Sequence, residues 1–190
     1  MGGEITVAPT DNTPQPENPT ARLHGNTRLD NEIAVFRHLM AWEAGTVLRL
    51  VEETGLESAD FHSEQRRHIF RTIFATAQKF RDKGEEDVQI APMEVLNTLK
   101  TNGDYDRATQ DALEKAVTGD QFSGSIDNPY VFAERVKALK EDRMWRGAPQ
   151  IAGALIAITE KRDRKQMPEV FAHMRFLEDL FKQTGGGGVA

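Results

Sequence analysis

His62, Glu64 and His68 are residue types that could hold a metal ion, because two imidazoles there flank a carboxylate. Their spacing argues against it. Two histidines on one helix converge on a ligand when three or four residues apart, and these are six apart. We read them as solvated side chains around a helix start. Asp104, Asp106, Asp111 and Glu114 add carboxylates, at the spacing of a wet helix face. The chain has no cysteine, which removes disulfides, thiol nucleophiles and cysteine zinc sites together. No Ser/His/Asp constellation emerges from spacing. A Gly-x-x-x-x-Gly-Lys-Ser/Thr loop is absent, and the run Gly185 to Gly188 has no lysine after it to complete a phosphate cradle. No catalytic, cofactor-binding or metal-ligating residue is assigned, and the chain reads as a non-enzyme without a cofactor.

Two basic stripes remain. Arg66, Arg67, Arg71, Lys79, Arg81 and Lys83 lie close together, and so do Lys137, Lys140, Arg143 and Arg146, with Trp145 between two arginines. A phosphate-contacting face is one reading of the first stripe, and ordinary solvation opposite an apolar stripe is the other. A net charge of −6 and a pI near 5.4 argue against nucleic-acid binding by bulk electrostatics. Trp145 ringed by arginines has the composition of an interface centre, and core packing is the competing reading.

These side chains must be positioned by helices, because the apolar period is helical almost throughout. Residues 1–28 carry Pro9, Pro14, Pro16 and Pro19 among polar residues and read as an unstructured arm. Residues 183–190 read as a flexible glycine-rich tail, which leaves one helical domain at 29–182. A first helix starts at Asp30 as N-cap, and Gly45 interrupts it before a second. The third opens at Ser63, carries Ile69, Phe70, Ile73, Phe74, Ala77 and Phe80, and ends at Gly84. A fourth starts near Pro92 and stops before Asn102-Gly103, and a fifth spans about Asp106 to Val117. The sixth is capped by Asp127 or Asn128 and carries Phe132, Val136 and Leu139, with the pattern resuming at Ile151, Leu155 and Ile158. The last, from Pro168, has Val170, Met174, Leu177 and Phe181 at the spacing of a helix that docks on a helix. Val88 to Ala91 is the only short strand candidate, so the expected class is all-α.

In that order, several pieces resemble one family. They are Glu32-Ile33-Ala34-Val35-Phe36 with Leu39-Met40; Ala59-Asp60-Phe61 ahead of Arg66-Arg67-His68-Ile69-Phe70; Val88 to Leu99; and Asn128-Pro129-Tyr130-Val131-Phe132-Ala133-Glu134-Arg135-Val136 followed by Arg143. Together they resemble the N-terminal domain of DnaB-type replicative DNA helicases, over about Leu29 to Phe181 and without the ATPase motor domain. The resemblance implies a compact head of four to five helices at about 29–120, then a helical hairpin and a C-terminal linker helix at about 127–182. It places Phe61 and Phe70 in the head's core. In the family such domains pair through hairpins and heads into a collar that contacts primase, and the linker docks on a neighbouring motor.

Two departures stand out. Gly147 and Pro149 interrupt a stretch that is continuous helix in the family, and a mid-helix proline costs about 3 kcal/mol. A kink or break is expected between Arg146 and Ile151. The loop from Gly119 to Asp127 matches only part of the family pattern.

What the resemblance implies functionally is an oligomerisation and interaction module in DNA replication. Its partners would be further copies of itself, a replicative helicase or a primase, with direct nucleic-acid binding weak. Candidate interface residues are Phe132, Val136, Leu139, Arg143, Trp145, Ile151, Leu155, Ile158, Val170, Met174, Leu177 and Phe181. The small residues Gly153, Ala154 and Ala157 permit close helix approach, while Ile156 makes that stretch apolar on more than one side. Burial within the hairpin and an intermolecular interface are both open there. The absence of any apolar spanning segment or signal-like N-terminus gives a cytoplasmic, non-membrane expectation. The alternatives are a modulator or decoy of a host helicase from a phage or mobile element, and a small helical DNA-binding regulator.

Overall fold

A computed structural model of the chain describes residues 19–118, with side chains from Arg28 onward, then 127–161 and 164–185. Among these residues the fold is all-α. It runs α1 (Pro19–Ala41), α2 (Ala44–Thr54), a 3-10 turn (Ser58–Asp60), α3 (Glu64–Asp82), α4 (Pro92–Asn102), α5 (Arg107–Thr118), α6 (Pro129–Lys161), a second 3-10 turn (Arg164–Gln166) and α7 (Met167–Gln183).

The N-terminal boundary needs correcting. Asp30 lies inside α1 and caps nothing, and residues 19–28, assigned to an unstructured arm, are helical. The four prolines that argued against order all lie at or before Pro19, and proline is well accommodated in the first turn of a helix. Residues 1–18, the 119–126 loop and the tail beyond Gly185 lie outside the described residues.

The break between α1 and α2 falls at Trp42-Glu43, one turn earlier than a break at Gly45 requires. First-turn amides lack intrahelical acceptors, and here Ala44 and Gly45 donate to the carbonyls of Val88 and Glu86, each at 2.9 Å. Gln89 joins Glu43 in an isolated bridge, so the candidate strand at Val88 to Ala91 reduces to one paired residue.

Helix α3 begins where its sequence says. The Ser63 side chain accepts from the Arg66 amide, and the helix ends on Gly84, whose φ of 74° only glycine adopts freely. There Gly84 donates to Arg81 and Glu85 to Phe80, both at 2.9 Å, which satisfies two carbonyls that the helix end would orphan. Replacing Ser63 with alanine is expected to cost about 1 kcal/mol. Urea unfolding should show this as a lower midpoint at unchanged slope.

The head's core is aromatic at its centre. Phe61 stacks on Phe36 at 4.9 Å between ring centres and on Phe70 at 5.2 Å, and all three rings are buried. The first half of α6 completes this core with Phe132, Val136 and Leu139, Phe132 meeting Trp42 edge-on at 5.3 Å.

Beyond Arg146, α6 continues as helix through Pro149 to Lys161, so the expected break is absent. Proline removes the hydrogen bond that the Trp145 carbonyl would accept. Both residues are exposed, so water can serve that carbonyl. The chain reverses after Lys161, and α7 returns along α6. A Cβ at Gly147 would stand 3.3 Å from Leu177, and one at Gly185 would stand 3.3 Å from Lys137, which fixes the two helices as antiparallel. Gly147, met in the sequence as a defect, is a point at which Leu177 of α7 packs against α6. The last helix is thus the second arm of the hairpin, packed on its own α6.

Candidate functional site

An ionic junction fastens α6 to the head. The Asp60 carboxylate is fully buried and accepts from Lys140 Nζ at 3.3 Å, from Arg143 at 2.9 Å and from the Glu57 amide at 2.9 Å. Lys140 also donates to the Gly55 carbonyl at 2.6 Å, and Arg146 donates to the Asp60 carbonyl at 2.9 Å. A buried carboxylate needs such partners, because removal from water costs several kcal/mol per ion. Burial alone would lower the pKa of Arg143, but its hydrogen bonds to Asp60 and Glu57 outweigh this and hold it above the ordinary value. Lys140, Arg143 and Arg146 of the second basic stripe therefore face inward, while Lys137 lies beside Gly185 at the end of α7. Arg143 and Arg146 turn toward the head and do not ring Trp145.

Glu32 plays a similar part on α1. It is fully buried, accepts from the His62 amide at 2.6 Å and pairs with Arg66, which ties α1 to the start of α3. Among the rest of the first stripe, Arg67 and Arg71 pair with Glu64, Lys79 with Glu94 and Arg81 with Asp82. Carboxylates already hold most of the charges that a phosphate backbone would need.

His62 and His68 do not converge. The His68 ring lies between Glu64 at 3.1 Å and Asp104 at 2.8 Å, while His62 faces Arg28 and Arg146. Among the described residues no group of three or more histidines and carboxylates is placed to hold a metal. Burial, then the charges of Arg28 and Arg146, hold His62 below its ordinary value of 6.5 against the weaker pull of Glu32 and Asp142. The folded state thus binds fewer protons here than the unfolded chain does. No stability is lost above pH 6.5, and some is lost as pH falls below it. Proton NMR should give His62 a midpoint under 6.5, and His62→Gln should reduce the loss of stability on the acid side.

The twelve candidate interface residues divide by location, and Arg143 is the half-buried arginine of the ionic junction described above. Phe132, Val136 and Leu139 are core residues of the head and are corrected as such; Ile158 and Val170 are buried within the hairpin. Ile151 and Leu177 are half-buried along the seam between α6 and α7. Four are exposed: Trp145 at 64%, Phe181 at 47%, Met174 at 46% and Leu155 at 37%. The α7 stripe that docks is therefore Val170, Leu177 and Leu180, a heptad-like run in which Met174 and Phe181 do not take part.

Three residues outside the candidate set enlarge the exposed group: Ile156 at 60%, Phe171 at 49% and Phe176 at 40%. At about 100° per residue, Trp145, Ala152 and Ile156 share a side of α6 about half a turn from Phe132, Val136 and Leu139. On α7 the same geometry puts Phe171, Met174 and Phe181 on one flank of the docked stripe and Phe176 on the other. Phe176 stacks on Arg143, which marks its flank as the head side. In an antiparallel pair the remaining flanks of α6 and α7 face the same way. The exposed apolar residues of both helices thus lie on the side away from the head, with Arg175 and Glu178 beside Phe171 and Met174. A second apolar residue within a turn of Met174 was the readable signal for it, and Phe171 supplies one.

No protein-family model matches this chain, no curated protein matches it, and no solved structure matches it. Among the described residues no helix is long and apolar enough to cross a membrane.

Proposed function

We propose that this chain is an interaction module of DNA replication, resembling the collar domain of a replicative helicase, that associates through the outer face of its hairpin. The observation that supports this is the exposure of Trp145, Ile156, Phe171, Met174 and Phe181 on one side of two packed helices. Exposed apolar residues scattered singly are ordinary, but several on one side of two packed helices support an interaction site. Two such hairpins laid face to face would bury the set as the core of a four-helix bundle. Helix-on-helix contact with a replicative helicase or primase would use the same chemistry.

Sedimentation over a wide range of concentration tests the self-association. A dimer or higher oligomer that dissociates on dilution is expected, and a strict monomer throughout would end this reading. Mixing with a replicative helicase and with its primase tests the replication assignment. A combined species is expected, whereas disassembly of the helicase hexamer would favour the modulator or decoy. The DNA-binding regulator is disfavoured by the pairing of the α3 cations. A salt-dependent gel shift at low ionic strength would reinstate it.

A further inference from the structure

Arg143 joins three elements. From α6 its Nη1 donates to Asp60 and Glu57 at 2.9 Å each, and its guanidinium carbon stands 4.7 Å from the centre of the Phe176 ring on α7. The two carboxylates are held by Nη1, and the same guanidinium lies over the Phe176 ring. Lysine substitutes only in part, because an ammonium group is a point charge that cannot hold the two carboxylates and cover the ring with one planar group.

The seam between α6 and α7 supplies adhesion without direction. Val170, Leu177 and Leu180 pack through apolar contact, which is non-directional, and Leu177 against Gly147 sets the level of the two helices but not their rotation. The guanidinium over the Phe176 ring is different, because a contact to one ring on one flank restrains the azimuth of the helix that carries it. Phe176 is on the head-side flank of α7, opposite Phe171 and Met174, so whatever fixes its azimuth fixes theirs.

We infer that Arg143 is a positioning residue: through its stack on Phe176 it sets the rotation of α7 relative to the head, and so presents Phe171, Met174 and Phe181 on the outer face. The functional part of this rests on the reading of that face as an association surface. The geometric part does not.

Arg143→Lys and Phe176→Leu in the full chain separate the two. Arg143→Lys keeps a cation for Asp60 and Glu57 while losing the stack, and Phe176→Leu keeps apolar bulk on α7 while losing the ring. In both, amides of α7 are expected to exchange with deuterium roughly fivefold to tenfold faster, with those of α3 unchanged. Self-association is expected to weaken by a similar factor. Unchanged α7 exchange, or α3 accelerating in step with α7, would overturn the inference in favour of a purely structural arginine. If the unaltered chain is monomeric while α7 alone accelerates in both variants, the positioning role stands and the association reading falls.

Discussion

Replacing Asp60 with alanine is expected to destabilise the head by about 3–5 kcal/mol, the cost of leaving buried charges without a counter-ion. For a chain of this size that corresponds to a fall in Tm of roughly 10 °C. Lys140 is buried and cannot reach water without pulling α6 from the head, whereas Arg143, half-buried, keeps the exposed Glu57 carboxylate as a partner. Asp60→Asn should cost less, since the amide oxygen still accepts one hydrogen bond. Adding Lys140→Met to Asp60→Ala should recover part of the loss, because a buried charge is then removed with its partner. Calorimetry across the three variants would decide it. A fall of under about 1 kcal/mol for Asp60→Ala would place this cluster with ordinary surface ion pairs. The loss should also persist at high salt, since buried pairs are screened far less than exposed ones.

Ile156→Glu together with Phe171→Glu is expected to abolish association through the hairpin while leaving the head's stability within about 0.5 kcal/mol of the unaltered chain. Burial of each side chain is worth about 1.5–3 kcal/mol and each substitution occurs on both copies, so self-association should weaken by at least about three orders of magnitude. Charge repulsion between two apposed faces adds to this. Met93 supplies the control: it is 62% exposed but stands on α4, away from the hairpin. Met93→Glu should leave the oligomer intact. If the double variant sediments like the unaltered chain, the outer face is not the association surface.

Much of the fold was legible where the determinants are local. Ser63 at the start of α3, Gly84 after it, Pro92 at the head of α4, Gly103 at its end and Asn128-Pro129 before α6 act within a few residues of themselves, and each boundary falls there. Phe61 and Phe70, placed in the core by the resemblance to the helicase domain, do stack there. The resemblance itself stands as an expectation for experiment. The same locality explains the misreading of α1: the prolines disfavour helix only up to Pro19, and composition averaged over 1–28 spread their effect too far.

The candidate surface was only half legible for the same reason. Apolar residues at helical spacing identify a face that seeks a partner, but they do not say which partner. Val170 and Leu177 found α6 of their own chain, while Met174 and Phe181, in the same stripe, did not.

The amino-acid sequence by itself determined the helices, most of their ends and the all-α class, because caps, breakers and apolar period act through neighbours along the chain. Which basic residues turn inward onto Asp60, which apolar residues remain outside, and whether Gly147 is a flaw or a contact were decided only by the tertiary structure. Those outcomes depend on carboxylates and side chains as many as 86 residues distant along the chain, which come within hydrogen-bonding reach once the helices have packed.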